Sequence, residues 1–201
     1  MEAKLEFNKI FSKTVDGEKI EYGILWGNEK IVFIKTGASG NIKGYKDKYL
    51  KMAHRIHDRI GATVICASNP DLNGSTPLKA DKAFIAKVVK DRVFENYELY
   101  FVGTSDGGEH SLKLSQQFPE TVKFMGLNSS WSNIDDFIEQ IRSLPHVKKI
   151  FVYGAKDVDF DDIVPRLKTL TCDNLEIIVL DGVDHDFTGR VDDFIALIDL
   201  L

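Results

Sequence analysis

Tyr97-Glu98-Leu99-Tyr100-Phe101-Val102-Gly103-Thr104-Ser105-Asp106-Gly107-Gly108 is the stretch on which the reading of this chain turns. The apolar run Tyr97 to Val102 predicts a buried strand, and the residues from about Gly107 to Phe118 predict a helix. Between them stands Gly-x-Ser-x-Gly. A serine at so sharp a strand-to-helix corner is forced into a strained backbone conformation, and only residues without a Cβ fit two places before and two places after it. Strain of this kind points the Ser105 hydroxyl out of the carboxyl edge of a sheet. It also leaves the N–H of Asp106, at the helix start, free to face a negatively charged oxygen. A serine so placed is a candidate nucleophile, and a candidate nucleophile calls for a base and a carboxylate to orient that base.

Outward from this corner, the pattern alternates strand and helix. Lys4 to Thr14 and Lys19 to Trp26 predict a hairpin closed by Asp16-Gly17, a dipeptide suited to a tight turn. Lys30 to Lys35 reads as a strand buried on both faces, followed by the glycine-rich loop Thr36-Gly37-Ala38-Ser39-Gly40-Asn41 and a helix from Tyr45 to Ile60. Ala62 to Ala67 predicts a strand, residues 68 to 77 a long loop, and Ala80 to Arg92 a helix. Beyond the central corner come strands at Val122 to Asn128, Val147 to Tyr153 and Leu175 to Leu180. Helices at Ile134 to Ser143, Phe160 to Leu170 and Val191 to Leu201 complete the pattern. The fold class is therefore α/β: a three-layer α/β/α sandwich whose mostly parallel sheet carries an N-terminal antiparallel hairpin, with right-handed crossovers.

At 201 residues with 43% hydrophobic content, the chain is expected to be one domain, 1–201, with a sizeable core. It shows no membrane-length apolar run and no signal-peptide pattern at Met1 to Glu6, which makes a cytoplasmic location the expectation. Two cysteines, Cys66 and Cys172, read as free thiols, and neither a metal site nor a cofactor is expected. The net charge of −5 divides unevenly, with 17 Lys+Arg against 13 Asp+Glu in residues 1–100 and 9 against 18 in residues 101–201. An acidic chain argues against nucleic-acid binding, and the cluster Lys43, Lys46, Lys48, Lys51, Arg55, Arg59 reads mostly as a solvated helix face. His54, His57, His110 and His146 read as structural or exposed.

Two downstream segments complete the picture. Tyr153-Gly154-Ala155-Lys156-Asp157 follows one predicted strand and Asp181-Gly182-Val183-Asp184-His185-Asp186-Phe187 follows the next, so with Ser105 they lie at one edge of a parallel sheet. Together with the hairpin and the order Ser, acid, His, these motifs resemble the α/β-hydrolase family over essentially the whole chain. The resemblance implies that Ser105 is a nucleophile, Asp157 the acid and His185 the base. Asp159, after the same strand, is the alternative acid. Asp184 and Asp186 read as turn residues whose charge favours the imidazolium. The resemblance further implies backbone oxyanion donors at Asp106 and Ala38, although the usual histidine of that loop is Thr36 here.

The same loop also resembles a Rossmann phosphate loop, Gly-x-x-Gly-x-x-Gly, but its third glycine would fall on Lys43. The chain also has no Tyr-x-x-x-Lys pair for hydride chemistry, and that reading is rejected. Only Ser129 to Asn133 separates a predicted strand from the next helix, so no cap domain is expected there. The cleft should be open, bordered by Trp131, the 69–77 loop and the Val158 to Asp162 segment, with Ser39 and Trp131 contacting substrate. The expected function is hydrolysis of a carboxylic ester, thioester or related acyl bond on a small molecule or carrier. Acyl transfer, and a non-catalytic binding role, are the alternatives.

Overall fold

The computed structural model describes residues 4–70 and 76–201. Its first element is the predicted hairpin, β1 (Lys9–Val15) paired antiparallel with β2 (Glu18–Leu25). Asp16 and Gly17 both take positive φ, 48° and 87°, as a two-residue turn matched to the strand twist demands. The strand starts later than the alternation suggested, at Lys9 rather than Lys4.

Beyond the hairpin come β3 (Asn28–Lys35), α1 (Lys48–Ile60), β4 (Ala62–Ala67), α2 (Thr76–Arg92), β5 (Glu98–Thr104) and α3 (Asp106–Ser115). β6 (Thr121–Leu127), α4 (Ile134–Arg142), β7 (Lys148–Lys156), α5 (Phe160–Lys168), β8 (Leu175–Asp184) and α6 (Val191–Ala196) complete the chain, with a 3₁₀ turn at Leu197–Leu200. The strands form one eight-stranded sheet in the order β1-β2-β4-β3-β5-β6-β7-β8. β2 meets β4 antiparallel, and every later pairing is parallel.

Alternation within the central strands sends side chains to both faces of the sheet, and each face is covered. Ile31 and Phe33 of β3 pack with Ile85 of α2, Leu112 of α3, Phe137 of α4 and Leu167 of α5. Val32 and Ile34, on the opposite face, pack with Met52, Ala53 and Ile56 of α1 and Phe194 of α6. This gives the expected three layers. Burial of each such aliphatic or aromatic side chain contributes about 1.5–3 kcal/mol.

Two predicted elements differ in detail. The helix expected from Tyr45 begins only at Lys48, because Lys46 (φ 52°) and Asp47 (φ 59°) are left-handed and follow an Asn41 turn in which Asn41 Oδ1 accepts from the N–H groups of Lys43 and Gly44. Residues 36–47 therefore separate β3 from α1, and the loop does not run directly into a helix as a dinucleotide-binding loop does. The second difference is at α2, which begins at Thr76 rather than Ala80. Residues 71–75 of the loop expected at 68–77 lie outside the described residues.

A polar cluster between the sheet and helices α2 and α3 has no counterpart in the sequence reading. Lys35, at the end of β3, donates to Asp81 Oδ2 at 2.9 Å and to the Ser68 carbonyl at 2.8 Å, and both charged side chains are fully buried. Tyr22 donates to Asp81 Oδ1 at 2.7 Å, and His110 Nε2 lies 2.7 Å from Oδ2. Burial raises the Asp81 carboxyl, but the Lys35 charge and the His110 contact outweigh it and hold the pKa down to about 2. Burial pushes His110 down. A carboxylate can only accept, so His110 Nε2 carries a proton and donates to Asp81.

Candidate active site

Every residue of the expected constellation follows the carboxyl end of a parallel strand. Ser105 joins β5 to α3, Asp157 follows β7, His185 follows β8, and the loop 36–41 follows β3. Ser105 has φ 52° and ψ −131°, the strained geometry that the corner required. The flanking glycines are explained by close approach. A Cβ on Gly103 would come within 2.4 Å of the Gly107 carbonyl, and one on Gly107 within 2.3 Å of the Thr36 carbonyl. The corner can fold only against bare backbone. Gly37 is similarly confined, since a Cβ there would sit 3.2 Å from the Ser105 Cβ.

Asp157 Oδ2 lies 2.7 Å from His185 Nδ1, and His185 Nε2 lies 2.8 Å from Ser105 Oγ. Because Asp157 only accepts, Nδ1 carries the imidazole proton and Nε2 accepts from the serine hydroxyl. The Asp157 side chain is fully buried and His185 retains 27% exposure. The second Asp157 oxygen, Oδ1, accepts from the Asp159 N–H at 2.8 Å. The Asp159 carboxylate accepts from Ser130 at 2.7 Å. Of the two candidate acids, Asp157 is therefore the one that reaches His185.

The hydrogen bond from Asp157 raises the His185 pKa. Partial burial opposes it, and the charges of Asp157, Asp186 and Asp159 add to the rise. Asp184 is held low, chiefly by accepting from the Thr188 N–H at 2.8 Å, and so serves the turn rather than the imidazole. Of the flanking pair, Asp186 is the one that acts on the ring. Asp157, Asp159 and His185 present ligand atoms within 4.8 Å of one another, and a cation bound there would compete with the Asp157–His185 hydrogen bond.

Three asparagines and a tyrosine, not singled out in the sequence, tie these loops together. Asn128 donates to the carbonyls of Asp184 and His185, both at 2.9 Å, and accepts from the Gly154 N–H at 2.8 Å. It thus joins the histidine loop to β7. Asn69 donates to Asp106 Oδ2 at 2.9 Å, and its N–H bonds the Gly40 carbonyl at 2.9 Å. Asn41 shapes the turn before α1, and the Tyr49 hydroxyl accepts from the Gly37 N–H at 3.4 Å. An asparagine at the end of a strand is the only sequence signal for such roles, and turns use the same residue.

A cavity of about 390 Å³ opens above Ser105 and His185, and Ala38, Ser39, Tyr45, Lys48, Tyr49 and Asp186 are among its lining residues. Ser39, expected to contact substrate, is among the lining residues. Trp131 is not: it stacks on Phe137 with ring centroids 3.4 Å apart and donates to the Tyr153 hydroxyl at 3.3 Å, which carries it into the layer beside α4. Val158, 81% exposed, likewise does not line the cavity. Among the described residues, the cavity is bordered by members of the 37–49 segment together with Thr104, Ser105, His185 and Asp186. Lys48 departs from the expected solvated face for the same reason, whereas Lys51, Arg55 and Arg59 are exposed as expected. A larger hollow of about 800 Å³ beside α1 is lined by Lys51, His54, Arg55, Asp58, Arg59 and Asp199 among others, and no serine or cysteine is among its lining residues.

An antiparallel hairpin leading into a parallel sheet, with a strained serine after β5 and a histidine after the last strand, is the architecture of the α/β hydrolases, and the chain has that fold. An α/β serine hydrolase homologue from Coxiella burnetii is 16% identical and superimposes with a TM-score of 0.67 over 98% of both chains. The esterase domain of a Rhodothermus marinus protein gives 0.68 at 13% identity, over 94% of this chain and 95% of that one. Dienelactone hydrolase from Anabaena variabilis gives 0.64 at 16% identity, over 94% of each chain. No family model and no curated protein matches the sequence.

Proposed function

We propose that this protein is a serine hydrolase that cleaves a carboxylic ester, thioester or related acyl bond through an acyl-enzyme. The observation that carries the reading is the continuous hydrogen-bond chain from Asp157 to His185 to Ser105, at 2.7 and 2.8 Å. As His185 Nε2 takes the hydroxyl proton, Ser105 Oγ attacks the acyl carbon. The carbonyl oxygen becomes an oxyanion, for which the backbone N–H groups of Asp106 and Ala38 are the proposed donors. Collapse of the intermediate breaks the bond to the leaving group, which receives the proton from His185. Water, deprotonated by the same imidazole, then releases the acid and restores the serine. Asp157 stays ionised and stabilises the imidazolium.

An esterase domain and a dienelactone hydrolase among the structures of this fold support the reading. The free thiols Cys66 and Cys172 support a reducing compartment, hence a cytoplasmic location. No helix among the described residues is long and apolar enough to cross a membrane. The deciding experiment is incubation with a fluorophosphonate probe followed by peptide mapping. Label on Ser105, absent in Ser105→Ala, is expected; an unlabelled protein, or label on another residue, would overturn the proposal.

A further inference from the structure

The cavity above Ser105 is lined by one lysine. The left-handed pair Lys46 and Asp47 turns the chain so that Lys48, at the start of α1, sits in the cleft with Tyr45 and Tyr49 instead of projecting from the helix into solvent. Its ammonium lies 4.8 Å from the centre of the Phe194 ring and 5.3 Å from that of Tyr49. Those ring faces hold the head group in place while leaving its N–H donors unspent. Among the described residues Lys48 has no carboxylate within 4.0 Å, whereas Lys35 is paired inside the sheet and Lys113 on α3. Burial lowers its pKa, and the more distant charge of Asp186 raises it. A half-buried ammonium with no close counter-charge leaves a desolvation cost that an anionic ligand would offset.

The chemistry proposed above orients the ligand. The leaving group must sit beside His185, which protonates it, and Asp186 follows directly in the chain and lines the same cavity. The acyl portion takes the remainder of the cavity, whose lining includes residues 37–41, and Lys48 supplies the positive charge there. A volume of about 390 Å³ is near the small end of ligand pockets and suits a short acyl chain. Resting on the hydrolase reading, we propose that the substrate carries a carboxylate at the far end of a short acyl chain, and that Lys48 binds it and sets the preference for acidic acyl groups.

The test compares 4-nitrophenyl hydrogen adipate with the neutral 4-nitrophenyl hexanoate, each corrected for spontaneous hydrolysis. The expected kcat/KM favours the adipate ester by about tenfold, the scale of one charge-assisted contact in a partly exposed site. In Lys48→Met that ratio should fall to about one, chiefly through a higher KM for adipate, and Lys48→Arg should restore most of it. Equal kcat/KM for both esters in the wild type, or a ratio unchanged in Lys48→Met, would overturn the inference while leaving the hydrolase reading intact. If neither ester turns over and Ser105 takes no fluorophosphonate, the hydrolase reading fails, and binding decides the inference. Monomethyl adipate titrated into the wild-type protein by NMR should then bind about tenfold more tightly than methyl hexanoate and lose that margin in Lys48→Met. Binding that is indifferent to Lys48 would overturn it.

Discussion

Asp157→Asn tests the site most sharply, because the structure fixes which way the new amide must face. Asp157 uses both oxygens: Oδ2 meets His185 Nδ1 at 2.7 Å, and Oδ1 accepts from the Asp159 N–H at 2.8 Å. An asparagine has one oxygen for these two donors. If it keeps the bond to the Asp159 N–H, its NH₂ faces His185 Nδ1 and forces the imidazole proton onto Nε2. Nε2 then donates and can no longer accept the Ser105 proton. If the amide flips, its NH₂ faces the partly buried Asp159 N–H and leaves it without an acceptor, at a cost of about 1–3 kcal/mol where water does not reach. The first arrangement is favoured, so kcat/KM on 4-nitrophenyl acetate should fall by about 10³ to 10⁴, or roughly 4–5.5 kcal/mol of transition-state stabilisation. Asp159→Asn should cost much less, since an amide oxygen can still accept from Ser130. The kinetics would be paired with imidazole ¹⁵N spectra of His185, which should show the proton moved from Nδ1 to Nε2. An Asp157→Asn enzyme retaining a tenth of its activity, or a larger loss for Asp159→Asn, would refute the reasoning.

Ser105→Ala should lower turnover on the same ester by on the order of 10⁴ or more, because the acyl-enzyme cannot form; steady-state rates on purified protein check this. The imidazole must be neutral to accept the serine proton, so kcat/KM should rise with pH through one ionisation. The Asp157 hydrogen bond favours the cation against partial burial, so the midpoint should lie above the ordinary histidine value of 6.5. Asp186→Asn should move that midpoint down, as should added salt more weakly, and a flat profile between about pH 5 and pH 9 would remove His185 from the role of base. Asp81→Asn leaves the fully buried Lys35 ammonium without its partner charge and should cost about 3–5 kcal/mol in urea unfolding. The double variant Lys35→Met with Asp81→Leu should recover only the part due to the unpaired ammonium, because Tyr22 and His110 lose their acceptor, and a single variant costing under about 1 kcal/mol would show the pair to be unimportant.

What the sequence by itself determined rests on short-range rules. Period-2 and period-3.6 patterns set the alternation of strands and helices, and with it the parallel sheet whose carboxyl edge gathers Ser105, Asp157 and His185. The glycines around Ser105 were legible because a corner that tight excludes Cβ atoms wherever it occurs. Which of Asp157 and Asp159 meets the histidine was not legible, since both follow β7 and only the turn 154–157 aims one inward. Trp131 has the composition of a substrate contact, yet the ring of Phe137, six residues on, draws it into the core. Lys48 looked like one more cation on a helix face until two left-handed residues delayed the helix and turned it into the cleft. The pairing of Lys35 with Asp81, 46 residues apart, leaves no mark on either local pattern. Contacts of that kind depend on how β3, α2 and α3 pack together, and the tertiary structure alone decides them.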